Sequence, residues 1–146
     1  MNDPQTSARV AFRPGFLVGN LAELASLRLA GSRCNECAIT LLGERHRCEN
    51  CSSADLSHQA FASHGVVHSY TVQRFAPPKP NACLHPWVPR PLAWIDLADG
   101  GPRIMSPVLC DPDAIDIGSK VSLSCGIGWV DAEAREVVAF QFILTS

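Results

Sequence analysis

The stretch Cys34–Cys51, CNECAITLLGERHRCENC, holds two Cys-x-x-Cys pairs separated by ten residues. A Cys-x-x-Cys pair forms a tight turn that aims both sulfurs at one point, and two such knuckles supply a tetrahedral four-sulfur site. That donor set suits Zn(II), or iron in a rubredoxin-like centre. The ten-residue spacer is long enough for the hairpin that joins the knuckles. Cys34, Cys37, Cys48 and Cys51 are therefore the expected metal ligands. A catalytic zinc keeps one coordination position open for water, whereas four thiolates close the shell. The expected metal is structural Zn(II). His46 lies inside the hairpin and reads as a surface residue rather than a replacement ligand.

The other cysteines fit that division. The chain has 146 residues and seven cysteines, three of which (Cys83, Cys110 and Cys125) are scattered. An odd number, unevenly spaced, behind an N-terminus without the pattern of an export signal, argues against a disulfide framework. A cytoplasmic location is expected. No apolar run reaches the ~20 residues needed to cross a bilayer.

Outward from the cysteines, the periodicity changes twice. Upstream, residues 1 to about 15 read as a flexible lead-in. NLAELASLRLAG (20–31) then reads as a short helix, with Asn20 and Glu23 placed as a capping box and Gly31 as its stop. The alternation Leu27-Arg28-Leu29 also suits a strand entering the first knuckle. From residue 61 the period becomes two. VVHSYTVQR (66–74), LAWIDL (92–97), RIMSPVL (103–109), VSLSC (121–125) and EVVAFQFIL (136–144) read as five strands. In the last, Val138, Phe140, Phe142 and Leu144 share a face; in the fourth, Val121, Leu123 and Cys125 oppose Ser122 and Ser124. Turn chemistry separates them. Five strands without a long helix point to a small antiparallel barrel or sandwich. The expected organisation is a lead-in with a short helix (1–30), a zinc ribbon (31–60) and a five-stranded barrel (61–146).

One connection is unusually long. FAPPKPNACLHPWVPRP (75–91) has six prolines in seventeen residues and carries Phe75 and Trp87. It reads either as a wandering surface loop or as a binding loop whose aromatics need a cover.

Catalytic patterns are sparse. There is no Gly-x-Ser-x-Gly elbow, no phosphate-cradling glycine loop and no His-Glu-x-x-His. Cys83 and His85 are two residues apart, a spacing that seldom lets a base address a nucleophile. Cys110 and Cys125 read as small core residues. Asp111, Asp113 and Asp116 read as a solvated turn around Pro112 and Gly118. Net charge is −2, and neither half of the chain has the basic excess of a duplex-binding surface.

LRLAGSRCNEC, the second pair CENC and GVVHSYTV, followed by PRPLAWIDLADGGPRIMSPV and IDIGSKVSL, together resemble the DUF35 family across roughly residues 27–144. The resemblance implies a rubredoxin-like zinc ribbon joined to an OB-fold. It implies an accessory subunit that assembles with a thiolase-fold protein acting on CoA thioesters. FAPPKP and the proline-rich loop look most like the small subunits of complexes such as benzoylsuccinyl-CoA thiolase and acetyltransferases acting on phenolic polyketides. Two departures from the pattern are Ala38, where a knuckle often has glycine, and GERHRC, which lacks prolines before the second pair. An acyl-CoA ligand implies cations and a ring to stack on, which makes Lys79, Trp87 and Arg90 the candidates, with Arg74 and Arg103 as alternates. The rival class is a single-stranded nucleic-acid-binding ribbon–OB protein using Tyr70 and Trp94. A free-standing protein that binds or hydrolyses CoA esters is a third, and it would draw on Cys83 or His85.

Overall fold

A computed structural model describes residues 9–13, 15–75 and 88–145. Its strands are β1 (Arg9–Ala11), β2 (Leu17–Val18), β3 (Arg28–Cys34), β4 (Thr40–Leu42), β5 (Leu56–Ala60), β6 (His64–Gln73), β7 (Arg90–Leu97), β8 (Arg103–Pro107), β9 (Lys120–Val130) and β10 (Glu136–Leu144). The five strands expected from the alternating pattern are β6 to β10.

Their pairing defines the barrel. β6 lies between β7 and β9, β7 pairs with β8, and β9 pairs with β10. The ring returns through a parallel bridge from Val108, just past β8, to Phe142 on β10. Beside it the Leu109 amide donates to the Phe142 carbonyl at 2.8 Å. Five strands in this circular order form an OB-fold, a partly open Greek-key barrel. Register irregularities between Val67 and Ser69, and between Val137 and Val138, add the local bend that closing a small sheet requires.

Strand alternation sorts the side chains. On β7, Pro91, Ala93, Ile95 and Leu97 are buried while Trp94 and Asp96 face outward. Val67, Ile95, Val108, Val121 and Phe142 form the barrel interior. Leu123, Phe140 and Leu144 pack against that interior, on the faces the sequence assigns them.

The expected N-terminal helix is not there. Among the described residues there is no α-helix, and Leu24–Ser26 makes one 3-10 turn. The physical reason lies on both sides of the turn. Asn20 does use its side chain, but its Oδ1 accepts from the Ala22 amide in a local turn. The Ser26 hydroxyl donates to the Glu23 carbonyl at 2.7 Å. Downstream, Leu27 and Leu29 are buried on either side of exposed Arg28, so the chain is already extended. Too few residues remain between these constraints to propagate a helix. Gly31 is no helix stop; it sits inside β3, where a Cβ would overlap the Leu41 carbonyl oxygen.

The lead-in is also structured where it is described. β1 runs parallel to β10, with Arg9 opposite Glu136. The Arg9 Nε lies 3.2 Å from Glu136 Oε1, and its Nη1 donates to the Leu21 carbonyl at 3.0 Å. Phe12 packs its ring 5.4 Å from Phe140.

β3 is the centre of the second sheet. β2 and β4 pair with it in succession along one edge, and β5 pairs with the other. Leu29 on β3 and Phe61 after β5 are buried within the barrel's own core cluster, and Leu17 and Leu42 pack against it. Ribbon and barrel therefore share one apolar interior.

Candidate metal centre

The hairpin between β3 and β5 brings Cys34, Cys37, Cys48 and Cys51 together, with all four sulfurs within 4.8 Å of one another. Cys34 Sγ and Cys51 Sγ are 3.5 Å apart, and Cys37 Sγ and Cys48 Sγ are 3.6 Å apart. A tetrahedral shell with metal–sulfur bonds near 2.3 Å has edges of about 3.8 Å, so the donor set fits a zinc-sized ion. Cys34 and Cys48 are buried while Cys37 and Cys51 are exposed. One cysteine of each knuckle thus anchors in the protein and the other faces out.

Each knuckle is built on the same hydrogen-bond frame. The Cys34 amide donates to the Ile39 carbonyl at 2.9 Å, and the Ala38 amide donates to the Cys34 carbonyl at 2.9 Å. In the second knuckle the Cys48 amide donates to Ser53 at 2.8 Å, and the Ser52 amide donates to Cys48 at 2.9 Å. Amides also point at sulfur: Cys37 N–H to Cys34 Sγ at 3.5 Å, and Asn50 N–H to Cys48 Sγ at 3.4 Å.

The electrostatics favour a cation. The backbone amide of Ile39, then the side chain of Asn50, pull the Cys37 thiol down to about 6 despite opposition from partial burial. At Cys51 the largest single influence, the Ser53 amide, also pulls down. It is outweighed by Cys34, burial, Cys37 and Cys48, which together push Cys51 up to about 12. Cys37 and Cys51 are thus shifted in opposite directions within one sulfur cluster. Thiolates are the metal-ligating form of cysteine, so a cation bound among the four sulfurs would favour their deprotonation.

Sequence reasoning missed the clamp around this loop. Asn35, between the first two cysteines, donates through Nδ2 to Asp55 Oδ1 and Ser57 Oγ, both at 2.9 Å. Its amide donates to the Asp55 carbonyl at 3.0 Å. The signal was an Asn inside Cys-x-x-Cys, a residue suited to bonding nearby backbone. At the other end, Thr40 Oγ1 donates to the Gly100 carbonyl at 3.1 Å, tying the ribbon to the β7–β8 turn.

The remaining candidates fall away from the centre. His46 is exposed and does not belong to the sulfur cluster. Asp111 and Asp116 are used in turns: Asp111 Oδ1 accepts from the Asp113 amide, and the Asp116 amide donates to Ser119 Oγ. Among the described residues the cysteine quartet alone groups three or more potential ligands. Burial raises the Cys110 and Cys125 thiols, consistent with packing roles. Arg103 is tied to Asp96 at 2.6 Å, and Arg74 is exposed after β6. Arg90 begins β7, while Lys79, Cys83, His85 and Trp87 lie outside the described residues.

Comparison with known proteins agrees with this architecture. Residues 58–125 match the family described as ChsH2, C-terminal OB-fold domain. A DUF35 domain-containing scaffold protein from Methanothermobacter thermautotrophicus is 32% identical over 97 residues, covering 65% of this chain and 69% of the relative. The solved structure of an Ltp2-ChsH2(DUF35) aldolase aligns with a TM-score of 0.58 and 28% identity over 80% of this chain and 84% of that one. The chain belongs to the DUF35 family, as its cysteine spacing and strand order led one to expect.

Proposed function

We propose that this chain is a non-catalytic accessory subunit that binds a thiolase-fold partner and supports that partner's acyl-CoA thiolysis, condensation or acyl transfer. The observation that carries the reading is the closed sulfur quartet. Zinc bound there would cross-link the ribbon hairpin and have no position left for a reactant. A structural role suits a small segment that, among the described residues, adds Leu17, Leu29, Leu42 and Phe61 to the shared core. The named relatives, a scaffold protein and a two-component aldolase, support assembly with another polypeptide.

On this reading turnover belongs to the partner, in a cytoplasmic complex where thiols stay reduced. The finer assignment, the small subunit of a benzoylsuccinyl-CoA thiolase, rests on the FAPPKP loop. That loop would supply Lys79 and Trp87, with Arg90 at its exit, to the CoA ester. The test is co-expression with a thiolase-fold protein encoded beside this gene. A stable complex whose acyl-CoA turnover needs both chains is expected, and Lys79→Ala with Trp87→Ala should raise KM for the CoA substrate. Turnover by the isolated chain would overturn the reading. Single-stranded nucleic-acid binding is weaker, because Arg103, beside exposed Trp94, is already engaged by Asp96.

A further inference from the structure

A cleft of about 630 Å³ runs between the ribbon and the outer face of the barrel. Ile39 and Thr40 of the ribbon wall one side; Trp94 on β7 and Met105 on β8 wall the other. Trp94 and Met105 are directly opposed across the β7–β8 pairing. Their exposures are 42% and 45%, and that of Ile39 is 36%. Single exposed apolar residues need no explanation, but three that converge on one concavity mark a contact surface. Strands two and three of an OB-fold are also where that fold commonly receives its ligands, and here they are β7 and β8.

The charge of the cleft opposes that of the molecule. Arg13, Arg45 and Arg103 line it against a single acid, Glu49, in a chain of net charge −2. Arg45 reaches Glu49 at 3.4 Å, and Arg103 reaches Asp96 at 2.6 Å. Arg13 stacks 5.8 Å over the Phe16 ring and has no acidic partner among the described residues. Stacking holds its guanidinium in place without neutralising it. A Trp, a Met and an oriented Arg in one concavity match the composition of protein–protein contact centres. Half-exposed walls suit a polypeptide laid across them better than a small molecule, which normally buries 70–90% or more of its surface in a pocket.

We infer that this cleft seats a segment of the partner protein, one that presents apolar side chains to Trp94 and Met105 and a carboxylate to Arg13. The inference rests on the accessory-subunit reading and specifies its contact surface. The test uses the co-expressed, purified thiolase-fold partner with the full chain. Trp94→Ala and Arg13→Glu should each weaken the complex by about ten-fold or more, and Arg13→Glu should flatten its salt dependence. Val66→Ala, on the same sheet but outside the cleft lining, should bind like the unaltered chain. Hydrogen exchange in the complex should protect residues 39–42 and 103–105. Circular dichroism and bound-metal content show that each variant is folded. If the partner binds the unaltered chain and folded cleft variants equally, the surface is wrong and the accessory reading stands. If the partner fails to bind the unaltered chain, both fall.

Discussion

Ala38 and Ser52 hold the same left-handed backbone conformation, with φ of 68° and 66°, each one residue after the second cysteine of its knuckle. Both donate an amide to the carbonyl of the first cysteine in their pair. The turn geometry demands this conformation, and neither residue is the glycine that adopts it without steric cost. Ala38→Gly or Ser52→Gly should therefore stabilise the metal-loaded protein by about 0.5–1 kcal/mol, after the extra chain entropy of glycine is deducted. Thermal unfolding should show an increase of about 2–4 °C for each, and an unchanged or lower midpoint would contradict the argument.

Gly31 should tolerate nothing larger. The obstacle to a Cβ is the backbone oxygen of Leu41, which cannot swing away as a side chain could. Gly31→Ala should separate β3 from β4 and cost at least about 1–3 kcal/mol, the range for forced overpacking. Denaturant unfolding of the metal-loaded protein measures it.

Phe142 tests whether the barrel closes as described. It is fully buried and meets Val108 at the bridge between the barrel's first and last sheet edges. Phe142→Ala should cost about 3–5 kcal/mol in urea unfolding. A cost below 1 kcal/mol would be incompatible with that position.

Removal of the metal should unfold the ribbon before the barrel. Cys34→Ser or Cys48→Ser, which changes a buried sulfur donor, should abolish stoichiometric zinc binding. Amide protection should then be lost first across β4 and the 43–55 loop. Retention of full zinc content by either variant, by elemental analysis, would contradict the ligand assignment.

The β9–β10 hairpin carries a pH-dependent contribution. The Arg135 amide, with its guanidinium and the Glu133 amide, holds the Asp131 carboxyl below the usual carboxylate range. A depressed folded value means that the contribution is complete above the ordinary carboxylate pKa and is lost as pH falls through the folded value. An NMR titration of Asp131 should give a midpoint below that of an unstructured aspartate, and Arg135→Ala should raise it.

The long barrel strands and the clustering of the four cysteines were legible because each obeys a local rule. Alternation over nine residues marked β6 and β10 and over six marked β7, and Cys-x-x-Cys spacing anticipated the sulfur cluster. The short elements were not legible. β1 has three residues and β2 two, and both exist because β10 and β3 offer them an edge, which no local pattern announces. The helix expected at 20–31 failed for the complementary reason: a local capping signal was overridden by burial of Leu27 and Leu29. The cleft was invisible because Arg13, Ile39, Trp94 and Met105 are far apart in the chain.

Ile39 belongs to two neighbourhoods at once. Its amide stabilises the Cys37 thiolate, its carbonyl receives the Cys34 amide, and its side chain walls the cleft. On the proposed reading, zinc starvation would act on the assembly from a distance, by slackening a wall of the cleft that is inferred to seat the partner. On that same reading, turnover would fade because two chains part company, with the partner's own groups intact.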